Sequence, residues 1–124
     1  LGTIMRALGG IAVDRSVATG LVGSLVEMAR RGEQFVVVIT PEATRGKVEF
    51  WKSGFYRIAR DADLPVILGF VDRARMTCGV GPTLELSGDV AADMDRIRAY
   101  YSGMVGMRPG LESEPRLRDE TSQP

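Results

Sequence analysis

Residues 40–47 read TPEATRGK and directly follow the most apolar run of the chain, FVVVI at 35–39. One reading of this junction is a helix start, with Thr40 as N-cap, Pro41 at the first helical position, and Glu42 in the first turn pairing with Arg45. The other is a loop at the carboxyl end of a strand, where open α/β sheets bind ligands. Gly46 interrupts helix propagation and KVEF at 47–50 alternates polar with apolar, which favours the loop. Such a loop gathers Arg45, Lys47 and Lys52, with Arg57 and Arg60 farther on, against Glu42 and Glu49. A guanidinium can hold a phosphate through two hydrogen bonds at once, and a lysine adds a point charge. GGIAVDRS at 9–16 offers a second grip: Arg15 lies just past a short strand, and Ser16 opens a helix whose first amides favour an anion. Its plainer reading is a capped helix with Arg15 paired to Asp14.

Composition limits the chemistry. The 124 residues contain no histidine, which excludes any Ser-His or Cys-His arrangement within them. Lys plus Arg equals Asp plus Glu at 16 each, so no global charge draws the chain to nucleic acid and any basic site is local. The single cysteine, Cys78, cannot close an intrachain disulfide and is expected to pack in the core. No zinc spacing is present and no metal is expected. RGKV at 45–48 is not a phosphate-binding P-loop, because Pro41 stands where the first glycine belongs and Val48 follows the lysine. GVG at 79–81 lacks the third glycine of a dinucleotide fingerprint and is read as a turn. No run approaches the ~20 apolar residues of a membrane span.

The elements that must position these residues follow from periodicity. Leu1, Ile4, Met5 and Leu8 have helical spacing from the first position, so the chain is expected to begin inside an element, with Gly9 and Gly10 ending that helix and IAVD forming a strand. Ser16 or Thr19 can cap a helix with Leu21, Val22, Leu25, Val26 and Ala29 on one face and Gly32 beyond its end. FVVVI suits a central strand buried on both faces, GFYRIARDA a helix, and LPVILGFVD a second buried strand led by Pro65. RMTCGVGPTLEL suggests a hairpin or two short edge strands. Val90, Met94, Ile97 and Tyr101 mark an amphipathic helix with acidic residues early and basic residues late. The expected fold is α/β, with a mostly parallel central sheet flanked by helices. One domain is expected over 1–103, and 104–124 is expected to be a disordered tail.

GGIAVDRS, PEATR, WKSGFYRIA and LPVILGFVD, in this order and spacing, resemble the glycerolipid acyltransferase family that includes the lysophosphatidate (1-acylglycerol-3-phosphate) acyltransferases. The likeness spans roughly Gly9 to Asp72. It implies that Arg15 and Arg45 hold the phosphate of the acceptor, that Glu42 and Thr44 shape the loop or contact the glycerol, and that Lys52 adds to the grip. Two positions depart from the family's Pro-Glu-Gly-Thr-Arg-Ser: Ala43 replaces the glycine and Gly46 the serine. If the loop needs positive φ at 43, alanine there costs about 1 kcal/mol.

The resemblance also implies a catalytic dyad, a histidine and an aspartate four residues apart, in which the histidine takes the proton of the attacking hydroxyl. That block is missing here, so the chain is expected to be an acyltransferase domain incomplete at the amino end, holding no catalytic residue and inactive alone. The implied reaction moves a fatty acyl group from acyl-CoA or acyl carrier protein to the hydroxyl of a lysophospholipid, with no other cofactor, at the cytoplasmic face of a membrane. A non-catalytic relative that binds anionic lipid or phosphate is the alternative, and a generic α/β domain with a capped helix at Thr40 is the plainest reading.

Overall fold

The computed structural model describes residues 18–121, and the chain divides into two units, 1–38 and 39–124. The helix expected over 1–8, the IAVD strand and the Arg15 grip lie outside the described residues.

In the first unit, helix α1 spans Ala18–Arg30. Leu25 is buried, with Leu21, Val22, Val26 and Ala29 half-buried, as their spacing predicts. The helix ends on Gly32 at φ +71°, with the Glu33 amide donating back to the Met28 carbonyl at 3.1 Å. Glycine adopts this left-handed closure without a Cβ penalty. Residues 35–39, which run across the boundary of the two units, then depart from the expected buried strand. No described residue pairs with them in a ladder, and Val36 and Val38 are 88% and 87% exposed. A continuous apolar run becomes a central strand only when hydrogen-bonded neighbours flank it.

The second unit contains helix α2, Gly54–Asp61, strands β1, Val66–Asp72, and β2, Thr77–Leu84, and helix α3, Val90–Tyr101, followed by a 3₁₀ turn at Arg118–Thr121. The only sheet among the described residues is this β1–β2 hairpin, which is antiparallel. A parallel central sheet is therefore not among them. β1 is also not buried on both faces: its residues alternate, with Leu68 and Asp72 inside and Ile67 and Val71 about half exposed. Gly79 and Gly81 lie within β2 and do not form a turn. At Gly81 the reason is close packing, since a Cβ there would sit 2.0 Å from the Tyr100 hydroxyl, whereas at Gly79 a Cβ would make only ordinary contact with the Phe70 ring at 3.5 Å. Cys78 is exposed and not in the core, because this edge strand covers little of its own surface.

The core of this unit is Tyr56, Ala59, Leu68, Leu86, Met94, Ile97 and Leu117. The Asp93 carboxylate is its polar hub. It accepts from the Tyr56 hydroxyl at 2.7 Å, from the Ser87 amide at 2.9 Å and from the Ser87 hydroxyl at 2.9 Å, joining α2, the 86–88 link and α3. Burial alone would raise the Asp93 carboxyl, but the Tyr56 hydroxyl and the Ser87 donors outweigh it and hold it below the ordinary carboxylate range. Burial and the same bond push the Tyr56 hydroxyl up to about 12. Asp89 caps α3 by accepting from the Ala92 amide at 3.1 Å.

The stretch after α3 differs from the expected disordered tail. The Arg73 amide donates to the Val105 carbonyl at 2.8 Å, the Trp51 amide to the Arg116 carbonyl at 2.8 Å, and Arg98 Nη1 to the Pro115 carbonyl at 2.9 Å. Arg98 also pairs with Glu120 at 2.8 Å, and Leu117 is 1% exposed. This segment is fixed by separate bonds to loop and helix backbone, so no hydrophobic period betrays it.

Residues 40–52 form a loop. The Ala43 amide donates to the Thr40 carbonyl at 3.0 Å, and the Lys52 amide closes the loop onto the Pro41 carbonyl at 2.8 Å. Ala43 has φ +57°, so the left-handed conformation that favours glycine is adopted by an alanine.

Two stability measurements check this packing. Leu117→Ala removes a fully buried side chain and is expected to cost about 2–5 kcal/mol in denaturant unfolding. A loss below about 0.5 kcal/mol would place residue 117 outside the core. Ala43→Gly relieves the left-handed strain at some entropic cost and is expected to raise stability by about 0.5–1 kcal/mol, whereas a drop would contradict the loop conformation.

Candidate functional site

The backbone of the 40–52 loop is held from the other end of the chain. Glu42 Oε1 accepts from the Ser113 amide at 3.2 Å, and the Ser113 hydroxyl accepts from the Val48 amide at 2.8 Å. Glu42 thus shapes the loop as a bracket to residue 113, and it does not pair with Arg45. Thr44 turns its hydroxyl to the Gly46 amide at 3.3 Å, a local bond that fixes the chain on either side of Arg45. A Cβ at Gly46 would meet nothing nearer than the Thr44 hydroxyl at 4.0 Å, so space does not demand glycine there.

Beside this loop lies a cleft of about 390 Å³, lined by Glu42, Thr44 and Arg45 from the loop and by Gly106, Met107, Arg108, Leu111 and Glu112 from the segment after α3. Arg45 is exposed, and among the described residues neither it nor Arg108 forms an ion pair. The two carboxylates of the cleft are engaged with backbone. Glu112 Oε1 accepts from the Gly106 amide at 3.0 Å and Oε2 from the Gly110 amide at 2.6 Å. Its own amide and those of Gly110 and Gly106 outweigh desolvation, and with the charge of Lys47 they hold the Glu112 carboxyl below its ordinary range.

The structure divides the expected cation cluster. Glu42, Thr44 and Arg45 share the first cleft, whereas Lys52 lines a second one of about 500 Å³ with Arg57, Arg118, Glu49 and Asp119. Arg118 there lies over the Phe50 ring, 5.1 Å from its centroid. Arg60 is taken up by structure, donating to the Leu86 carbonyl at 2.8 Å. Arg15 falls outside the described residues. Sequence reasoning missed Arg108, Glu112 and Ser113, all in the stretch read as disordered. The one signal for them was local: Pro109–Gly110 marks a turn that carries a charged residue at each end.

What this arrangement can do is hold an anion at one end and an apolar group beside it, since Met107 and Leu111 are 67% and 42% exposed next to the two guanidiniums. Among the described residues no helix is long and apolar enough to cross a membrane.

Comparison with known proteins bears on the chemistry. A family model described as Acyltransferase matches residues 1–67, which include the whole of the 40–52 loop. Comparison with curated proteins and with solved structures found no match. With more than half of its length matched, the chain belongs to the acyltransferase family, in keeping with its resemblance to the glycerolipid acyltransferases.

Proposed function

We propose that this domain presents a lysophospholipid, with lysophosphatidate as the type, for acylation by acyl-CoA or an acylated carrier protein. The observation that carries the reading is Arg45: it stands in the family-matched loop, at a cleft, with its guanidinium exposed and no ion-pair partner among the described residues. A phosphate fixed by such a fork leaves the glycerol hydroxyl in a defined position, and this is catalysis by positioning.

In the reaction the hydroxyl oxygen attacks the thioester carbonyl carbon. The hydroxyl proton passes to a general base, the bond to sulfur breaks, and the departing thiolate takes up that proton from the base to leave as the thiol. With no histidine in these 124 residues, the base implied by the resemblance is not supplied by them. Their share of the work is the acceptor grip: Arg45 holds the phosphate, and Thr44 and Glu42 hold the loop, while for Arg15 a share in binding the acceptor phosphate is implied by the family resemblance alone. Lys52 lines the neighbouring cleft and adds positive potential near the same loop. The setting that suits an amphiphilic acceptor is the cytoplasmic face of a membrane, approached peripherally.

The lack of histidine also supports a second reading, an acyltransferase relative that binds anionic lipid or phosphate without turning it over. The two are separated by acyl transfer in the native gene product. Arg45→Ala is expected to raise the acceptor KM or lower turnover by a factor of about a hundred or more, the scale of losing a charged, bidentate contact in a positioned complex. Near-normal kinetics for this variant would remove Arg45 from the acceptor site. A native product that binds phosphate yet transfers no acyl group would favour the second reading.

A further inference from the structure

We infer that Arg108, outside the family-matched residues, is a specificity-determining residue that closes a two-guanidinium grip with Arg45 and selects a phosphate monoester over a diester. The inference rests on the acceptor reading of the cleft at Arg45.

Four observations carry it. Arg45, from the 40–52 loop, and Arg108, from the segment after α3, both line one cleft of about 390 Å³, and neither has an ion-pair partner among the described residues. The carboxylates beside them are engaged elsewhere, Glu112 through both oxygens to the Gly106 and Gly110 amides and Glu42 through Oε1 to the Ser113 amide. They therefore leave the guanidiniums available to a ligand.

The loop that carries Arg108 is also braced. The Leu111 amide donates to the Arg108 carbonyl at 3.1 Å, Gly110 takes φ +84°, and Val105 is bonded to Arg73 at the foot of the loop. A braced guanidinium loses less freedom on binding than a loose one. Lastly, Met107 and Leu111 add an apolar rim beside the two cations, as an acyl-bearing phosphate requires.

The chemistry of the headgroup supplies the discrimination. A phosphate monoester has three terminal oxygens and a second pKa of about 6, so near neutral pH it carries close to two negative charges. A diester has two free oxygens and one charge, which one bidentate guanidinium satisfies. The second arginine therefore contributes chiefly to monoester binding.

The test uses the full chain and two soluble probes, glycerol 3-phosphate as monoester and glycerophosphocholine as diester, titrated calorimetrically against wild type, Arg108→Ala, Arg108→Lys and Arg45→Ala. Arg108 is exposed, and equal thermal midpoints establish that the variants are folded. Arg108→Ala is expected to weaken glycerol 3-phosphate about tenfold or more while changing glycerophosphocholine less than about twofold, with Arg108→Lys recovering part of the loss. If Arg108→Ala leaves the monoester-to-diester ratio unchanged while Arg45→Ala still abolishes binding, Arg108 has no such role and the acceptor reading stands. If Arg45→Ala also changes nothing, or wild type binds neither probe, both are overturned.

Discussion

The Ser113 clasp is the constraint on which the proposed site depends. Its amide donates to Glu42 and its hydroxyl accepts from the Val48 amide, so one residue holds the 40–52 loop at two places. Ser113 is 7% exposed, and bonds made at a buried position lose little to competing water. Trp51 and Arg116 extend the contact by a backbone bond, and Leu117 anchors it in the core. The clasp gives the loop a rigidity that its own sequence does not supply, because Ala43 at positive φ and Gly46 both weaken a freestanding turn.

This arrangement separates two duties of charge. Buried or backbone-engaged carboxylates do structural work: Asp93 ties α2 to α3, Asp72 receives the Ala74 amide in the hairpin turn and the Val105 amide at the foot of the tail, and Glu112 closes the 106–112 loop. The guanidiniums of Arg45 and Arg108 remain at the surface of the cleft. The net charge is zero, so any positive field at this cleft is local, and the two carboxylates that line it, Glu42 and Glu112, are bonded to backbone amides.

How much of this was legible in the sequence depends on the kind of interaction involved. Helices α1 and α3 were readable because each repeats an apolar face, α2 was readable in GFYRIARDA, and the Gly32 stop follows local chemistry, whereas the capping role of Asp89 is seen only in the structure. The strain at Ala43 was also readable, since the family pattern has glycine where this chain has alanine. Ser113 and Leu117 were not readable. Their stretch has no period, and each is fixed by a contact to a residue far away in the chain, 71 positions in the case of Ser113 and Glu42. The strand at 35–39 was over-read for the opposite reason: composition gives β propensity, but ladder partners decide whether a strand forms, and none is among the described residues. At the site, the type of residue was legible and the grouping was not. Arg45 and Lys52 stand close in sequence yet line different clefts, whereas Arg45 shares its cleft with Arg108.

The most direct test of the central claim, that the Arg45 cleft holds the acceptor phosphate, is to follow the backbone amides of the full chain by NMR while glycerol 3-phosphate is added. The account predicts that residues 44–46 and 106–112 shift together along one binding curve, with the α3 amides unmoved. Unchanged amides across both segments, or shifts confined to the Lys52 and Arg118 cleft, would contradict it.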